Sequence, residues 1–184
     1  FRDRYLMLAK EPNIKYALAF HSWGSGAGAS IYHPHCQIIG IPILPPDVQR
    51  TLEGSRIYFA KHKRCVHCDI IREEKKIRRH IVFENKEAIA FAPFASKNPF
   101  EIRVFPKVHV SNFELTPEHM LRAVSLALQK VLGLVEKKLA DPDYNFFIHS
   151  APFRGGREYA HYHWHIEVYP KLSPRAGFEF GTGI

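Results

Sequence analysis

Residues 33–37, with the sequence His-Pro-His-Cys-Gln, carry the most definite chemistry in the chain. On a β-strand, side chains two residues apart share a face, so His33, His35 and Gln37 would project together. A neutral imidazole can attack phosphorus at neutral pH when its other ring nitrogen is held as a donor. Gln37 can donate to a phosphate oxygen without adding charge. This pattern predicts phosphoryl transfer with a histidine nucleophile.

A small-residue segment at positions 24–30, Gly-Ser-Gly-Ala-Gly-Ala-Ser, precedes these histidines. Glycines let backbone N–H groups approach phosphates closely, and Ser30 adds a hydroxyl. The alternative is that the histidines only pack in a strand and the glycines only form a turn. Two histidines, a glutamine on the same face and a glycine loop together favour a phosphate site over packing.

A second histidine-rich strand is expected near residue 161. Its polar side chains would share one face, opposite an apolar face suited to the core; they are His161, His163, His165 and Glu167. Unpaired polar groups are costly to bury, so these residues should face a metal, a ligand or water.

Cys65 and Cys68 form a pair separated by two residues, which suits Zn²⁺. A tetrahedral site needs two more ligands, and His109 with a histidine of the 161–165 strand would complete it. A redox pair or free thiols are the alternative, disfavoured because no thioredoxin-like βαβ pattern surrounds the pair. The remaining histidines of this half are expected at the surface: His62, His67, His80 and His119.

These residues need a framework of strands with one long helix. Thr116 predicts a helix N-cap followed by proline at the first helical position, and an apolar stripe continues to Asp141. A hairpin is expected around Asn85 and Lys86. The other expected segments are strands at about 16–20, 32–41, 101–105, 145–150 and 161–169, and a connector over 45–60. This order predicts an α+β fold with a mainly antiparallel sheet.

The composition excludes several classes of protein. The 184 residues are 46% hydrophobic and 13% aromatic, with no membrane-length apolar run and no signal-peptide pattern at the start. With only three cysteines, a disulfide framework is not expected. We expect a soluble cytoplasmic protein instead. The net charge of +8 favours anionic partners. Nucleic acid is disfavoured because the basic clusters lack interleaved aromatic residues.

The chain also contains an internal echo. His21 and His149 are each followed by a histidine twelve residues later and by a proline twenty-one residues later. The echo predicts the end of one repeat followed by one complete copy.

The pattern Gly28-Ala29-Ser30-x-x-His33-Pro34-His35-x-Gln37 resembles the active-site signature of galactose-1-phosphate uridylyltransferases, members of the histidine-triad (HIT) superfamily. Further similarity lies at residues 1–5, 163–167 and 176–183. The resemblance implies a HIT-like fold of tandem repeats, usually dimeric. The expected units are 1–46, the end of a first repeat, 47–64, a connector, and 65–184, a second repeat. We expect the sequence to be a fragment, because the family's first repeat begins earlier.

The resemblance implies an enzyme of galactose metabolism with a ping-pong reaction. His35 would displace glucose 1-phosphate from UDP-glucose, and galactose 1-phosphate would then take UMP from the uridylyl-histidine. Gln37 and His33 would assist His35. The implied substrate contacts are Ser22, Gly28, Ala29, Ser30, Gln37 and, across a homodimer, Phe178 and Glu179. The implied Zn²⁺ ligands are Cys65, Cys68, His109 and His163, with His161 as the alternate.

The chain departs from the family where Ser22 replaces the usual asparagine. The region that would hold the nucleotide base precedes Phe1. Two alternatives therefore stay open: an ADP-sugar or dinucleoside-polyphosphate phosphorylase using the same histidine, and a non-catalytic, zinc-stabilised nucleotide-binding module. Because the second repeat lacks the His-Pro-His-x-Gln set, we expect it to be a structural and substrate-covering copy.

Overall fold

A computed structural model describes residues 1–172 and 177–182. The strands are β1 (Tyr16–Trp23), β2 (Cys36–Ile41), β3 (Ile81–Glu84), β4 (Ala88–Phe91), β5 (Ile102–Pro106), β6 (Asp143–His149) and β7 (His165–Lys171). The α-helices are α1 (Arg2–Leu8), α2 (Pro46–His62), α3 (Val66–Ile77), α4 (Glu118–Lys138) and α5 (Gly177–Thr182). The strands form one antiparallel sheet in the order β2-β1-β6-β7-β5-β4-β3. The predicted α+β class with an antiparallel sheet is confirmed.

The long helix α4 packs on the β3–β5 side of the sheet. Its buried residues follow the expected helical spacing and are Met120, Val124, Ala127, Val131 and Val135. All of them except Met120 join the main core, to which β7 contributes Ile166 and Val168. One detail of the prediction is wrong: the Thr116 hydroxyl donates to the Asn112 carbonyl instead of capping the helix, which begins at Glu118.

The predicted hairpin forms between β3 and β4. The Asn85 side-chain oxygen accepts the backbone N–H groups of Glu87 and Ala88, which closes the turn. Local turn chemistry therefore specifies this connection.

Both histidine-rich strands begin later than predicted. β2 starts at Cys36, because Pro34 has no N–H to donate to a ladder and holds the preceding segment outside the pairing. β7 starts at His165, because the Trp164 N–H bonds to the Val110 carbonyl rather than to β6. The prediction that His33 and His35 share the face of a strand is therefore wrong. The same prediction for His161 and His163 is also wrong.

The expected connector is the helix α2. Pro46 occupies its first turn, where no intrahelical N–H is needed, and Val48 and Leu52 pack against Tyr16 and Tyr162. The helix α3, directly after Cys65, was also not anticipated.

β1 pairs with β2 on one side and with β6 on the other, so the segment before residue 46 shares a sheet with the rest of the chain. The division into units 1–46 and 65–184 stays a prediction. Among the described helices, none combines the length and apolar character that a membrane span requires.

Candidate functional site

The end of β1, the glycine segment and the residues leading to β2 surround a cavity of about 320 Å³. Gly24 and Gly28 have φ of +80° and +84°, a conformation that favours glycine. The predicted site residues that line the cavity are Ser22, Ala29, Ser30 and His33. The lining does not include the other predicted residues of this region, Gly28, His35 and Gln37.

His35 is half-buried and its ring orientation is fixed by the backbone. Its Nδ1 donates to the His33 carbonyl over 2.7 Å, which places the proton on Nδ1 and leaves the lone pair on Nε2. The His35 carbonyl in turn accepts from Nδ1 of the buried His21, also over 2.7 Å. Backbone and ring of the candidate nucleophile are thus both held by hydrogen bonds.

Gln37 and His33 are both exposed, on either side of His35. Gln37 lies on β2 opposite Phe20 of β1. Among the described residues, the groups with metal-ligand spacing do not include His33. The structure therefore brings His33 to the cavity.

Four side chains converge between α3, the end of β5 and the start of β7: Cys65, Cys68, His109 and His163. One ligand atom from each lies within 4.8 Å of all the others. Sγ of Cys68 lies 3.3 Å from Nδ1 of His109 and 3.5 Å from Nδ1 of His163. Two sulfurs and two nitrogens at this spacing suit a tetrahedral divalent ion.

The backbone orients both rings of this group. Nε2 of His109 donates to the Ala160 carbonyl over 2.9 Å, and Nε2 of His163 donates to the Pro106 carbonyl over 3.0 Å. Each ring therefore turns an unprotonated Nδ1 towards the sulfurs, as a metal ligand requires. A hydrogen bond from the Cys68 thiol holds the pKa of Cys65 below its usual range, against the opposing effect of burial.

The alternate ligand, His161, lies outside the group, because its Nε2 donates to the Leu52 carbonyl over 3.1 Å. His67 is buried rather than at the surface, and its ring packs against Phe105 and His165. That expectation is wrong, because α3 turns His67 inward, towards the sheet.

A buried network on β5, β6 and β7 was not anticipated. The Glu167 carboxylate accepts from Nε2 of His149 over 3.1 Å and from Nε2 of His165 over 3.3 Å. The Tyr169 hydroxyl donates to it over 2.6 Å, and Arg103 forms an ion pair with it over 3.1 Å. His165 and Glu167 do share a face, but the carboxylate is neutralised by a guanidinium, which disfavours a metal cation there. The sequence signs of this network were the polar face shared by His165 and Glu167 and the charged residues Glu101 and Arg103 in the 101–105 strand.

The segments 33–37 and 163–167 can be compared by the strand residues that lie opposite them in the sheet. Gln37 lies opposite Phe20 of β1, and Glu167 lies opposite Phe147 of β6, so each of these polar residues pairs with a phenylalanine of the neighbouring strand.

Phe178 is 66% exposed on α5. The side chain of Glu179, the other predicted contact of this segment, lies outside the described residues.

Known proteins match this chain over its whole length. Residues 74–168 match the family model described as HIT domain. An ADP-glucose phosphorylase from Arabidopsis thaliana is 35% identical over 100% of this chain and 51% of its own length. A galactose-1-phosphate uridylyltransferase from Thermotoga maritima is 29% identical over 98% of this chain and 58% of its own.

A solved uridylyltransferase structure superposes with a TM-score of 0.91 at 32% identity, covering 100% of this chain and 59% of that one. The chain thus spans between half and three fifths of the length of these relatives. The predicted HIT-like fold is confirmed. The chain belongs to the HIT domain family, as a relative of galactose-1-phosphate uridylyltransferases and ADP-glucose phosphorylase.

Proposed function

We propose that this chain carries the catalytic histidine of a nucleotidyltransferase that works through a covalent nucleotidyl-histidine at His35. The observation that carries the proposal is the hydrogen bond from Nδ1 of His35 to the carbonyl of His33, a residue that lines the cavity at the end of β1. It leaves Nε2 as a nucleophile without the help of a separate base. Both similar enzymes move nucleotidyl groups, which supports the same reaction class here.

In the first step, Nε2 of His35 attacks the α-phosphorus of a sugar nucleotide. The bond from that phosphorus to the bridging oxygen breaks, and the sugar 1-phosphate leaves with the electron pair. In the second step, a phosphate oxygen of the acceptor attacks the same phosphorus and restores His35. The side chains of Ser22, Ser30 and Gln37 are suited to contact phosphate oxygens, whereas the N–H groups of Gly28 and Ala29 donate within the loop, to the carbonyls of Ser25 and Gly24.

For the substrates, we propose UDP-glucose as donor and galactose 1-phosphate as acceptor, in a homodimer in which Phe178 and Glu179 contact the sugar phosphate of the partner's site. A second candidate is ADP-glucose as donor with inorganic phosphate as acceptor. The higher identity to the ADP-glucose phosphorylase, 35% against 29%, favours this second candidate.

The test incubates the full chain with UDP-glucose or ADP-glucose labelled at the α-phosphate. We expect label on the denatured protein in an acid-labile, base-stable bond, and none in His35→Ala. A chase with galactose 1-phosphate or with inorganic phosphate identifies the acceptor. The proposal fails if neither donor labels the wild type, or if His35→Ala is labelled equally. Retained nucleotide binding without labelling would indicate a binding module.

We also propose that Cys65, Cys68, His109 and His163 hold one Zn²⁺ with a structural role. A closed set of four protein ligands leaves no open position for substrate. The double variant Cys65→Ser, Cys68→Ser should lose about one equivalent of zinc in metal analysis. Cys36→Ser removes the remaining cysteine of the chain, which is exposed, and should keep the metal. Unchanged zinc in the double variant would contradict the site.

A further inference from the structure

Two side chains at the start of β6 hold the glycine segment 24–30 from the opposite side of β1. Oδ2 of Asp143 accepts the Gly26 N–H over 2.5 Å. Nδ2 of Asn145 donates to the Ala27 carbonyl over 2.9 Å and to Oγ of Ser22 over 3.0 Å. These contacts join positions more than a hundred residues apart in the chain.

The loop is shaped around Asp143. A Cβ added at Gly24 would lie 1.7 Å from Oδ1 of Asp143, and one at Gly26 would lie 2.8 Å from its Oδ2. Gly24 also has positive φ, so both the space and the backbone require glycine there. Asp143 itself lines the cavity together with Ser22 and Ser30.

The hydrogen bond from Asn145 also determines what Ser22 can do. Because Oγ of Ser22 accepts from Nδ2, its hydroxyl proton is directed elsewhere, and Ser22 lies at the cavity wall. In this arrangement Ser22 acts as a donor, which is the role that a phosphate oxygen requires.

We propose that Asp143 and Asn145 are positioning residues that set the glycine loop and the Ser22 hydroxyl for contact with the substrate phosphates. The inference rests on the proposed function, since it assumes that the Ser22 and Ser30 hydroxyls at the cavity contact phosphate. A loop with three glycines has many accessible conformations, and binding must select one of them. β6 is paired on both sides, with β1 and β7, and supplies a fixed support for that selection.

The kinetic test compares Asp143→Ala and Asn145→Ala with the wild type. Each loses about one or two hydrogen bonds to the loop, so we expect KM for the sugar nucleotide to rise about tenfold and kcat to change less than about threefold. Asp143→Asn keeps an acceptor for the Gly26 N–H and should hold KM within about twofold of the wild type. Lys171→Ala, exposed and opposite Asp143 on β7, is the matched control and should have no effect.

A purely structural role predicts a different result: lower thermal midpoints in both alanine variants and an unchanged KM in the folded protein. That result would overturn the inference. A rise of KM in Asp143→Asn equal to that in Asp143→Ala would also overturn it, because the hydrogen bond would then not be the cause.

A second readout does not depend on turnover. Amide hydrogen exchange at Gly26 should accelerate about tenfold or more in Asp143→Ala and stay near the wild-type rate in Asp143→Asn. If no sugar nucleotide labels the wild type, the proposed function fails, while the exchange data still decide whether Asp143 orders the loop. Unchanged exchange at Gly26 in Asp143→Ala would refute the positioning role itself.

Discussion

The segments 33–37 and 163–167 have the same local design and opposite surroundings. In each, Nδ1 of a histidine lies within hydrogen-bond distance of the carbonyl two residues earlier: His35 donates to it over 2.7 Å, and Nδ1 of His165 lies 3.1 Å from it. His35 is half-buried, and its Nε2 has no partner among the described residues. His165 is buried, and its Nε2 faces Glu167.

The difference shows that the local pattern of a histidine segment does not determine its chemistry. Burial lowers the pKa of His165 to about 4, so the ring is neutral at pH 7, and its single proton, on Nε2, is donated to the Glu167 carboxylate. That carboxylate is held in turn by Arg103 and Tyr169. The accessible Nε2 of His35 thus lies in the segment that ends with a glutamine. The enclosed Nε2 of His165 lies in the segment that ends with a glutamate.

The strongest test of the comparison removes each histidine. His35→Ala should lower the rate of nucleotidyl transfer by about a thousandfold or more with little change in stability. His165→Ala should keep the labelling of folded protein and lower the free energy of unfolding by about 3 kcal/mol, because it opens a cavity and removes a donor from Glu167. Urea unfolding measures the free energy of unfolding, and labelling measures nucleotidyl transfer. The exposed His119→Ala is the control for both measurements. A stable His165→Ala without labelling would contradict this division of roles.

Glu167→Gln gives the second segment the glutamine of the first. Burial alone would raise the pKa of Glu167, but hydrogen bonds from His149 and His165 hold it well below the usual value of 4.5. The charged carboxylate therefore adds stability fully above about pH 4.5, and this contribution is lost as the pH falls towards the lowered pKa of the folded state.

We expect Glu167→Gln to lower the free energy of unfolding by about 2 kcal/mol at pH 7, and the gap to the wild type to narrow at pH 3. Urea titrations of the wild type and Glu167→Gln at pH 7 and pH 3 measure this difference in the free energy of unfolding. A gap that widens on acidification would show that the carboxylate is not stabilised in its charged form. Combined with His35→Ala, the variant should not recover labelling, because His165 stays buried.

Gln37→Glu makes the reverse exchange and has the smallest expected effect. Gln37 is exposed on β2, so the new carboxylate would repel the substrate phosphates instead of entering a buried network. We expect kcat/KM to fall about tenfold and the free energy of unfolding to change by less than about 0.5 kcal/mol. Gln49→Glu, exposed on α2, controls for the added charge. Equal loss in both variants would indicate a general charge effect.

Elements with local signals were predictable from the sequence. The turn at Asn85 and the apolar stripe of α4 are complete within a few residues of chain. The helix α2 could not be predicted, because Pro45 and Pro46 suggested a break in the chain. In addition, only three residues of this 17-residue helix are buried: Val48, Leu52 and Ser55. A narrow stripe after two prolines does not distinguish a helix from a connector.

Some features of the candidate site could likewise be predicted from the sequence, and others could not. The two-residue spacing of Cys65 and Cys68 indicates a shared metal site from the sequence alone, although the helix α3, which begins directly after Cys65, was not predicted. The network around Glu167 combines neighbours from β5 and β6, and hydrophobic periodicity does not specify strand order. The contacts of Asp143 and Asn145 with the glycine loop depend on β1 lying beside β6, which no local pattern indicates.

The pairing of β1 with β6 has a consequence for biosynthesis. Phe20 pairs with Phe147, more than 120 residues later in the chain. At roughly 5 to 20 residues per second, the ribosome adds that length in about 6 to 25 s. During this interval the inner edge of β1 and the loop after it have no partner, and an unpaired strand edge is open to association with other chains. The segment that carries His35 therefore reaches its final arrangement late, once β6 has left the ribosome, and during translation it is a natural client for chaperones.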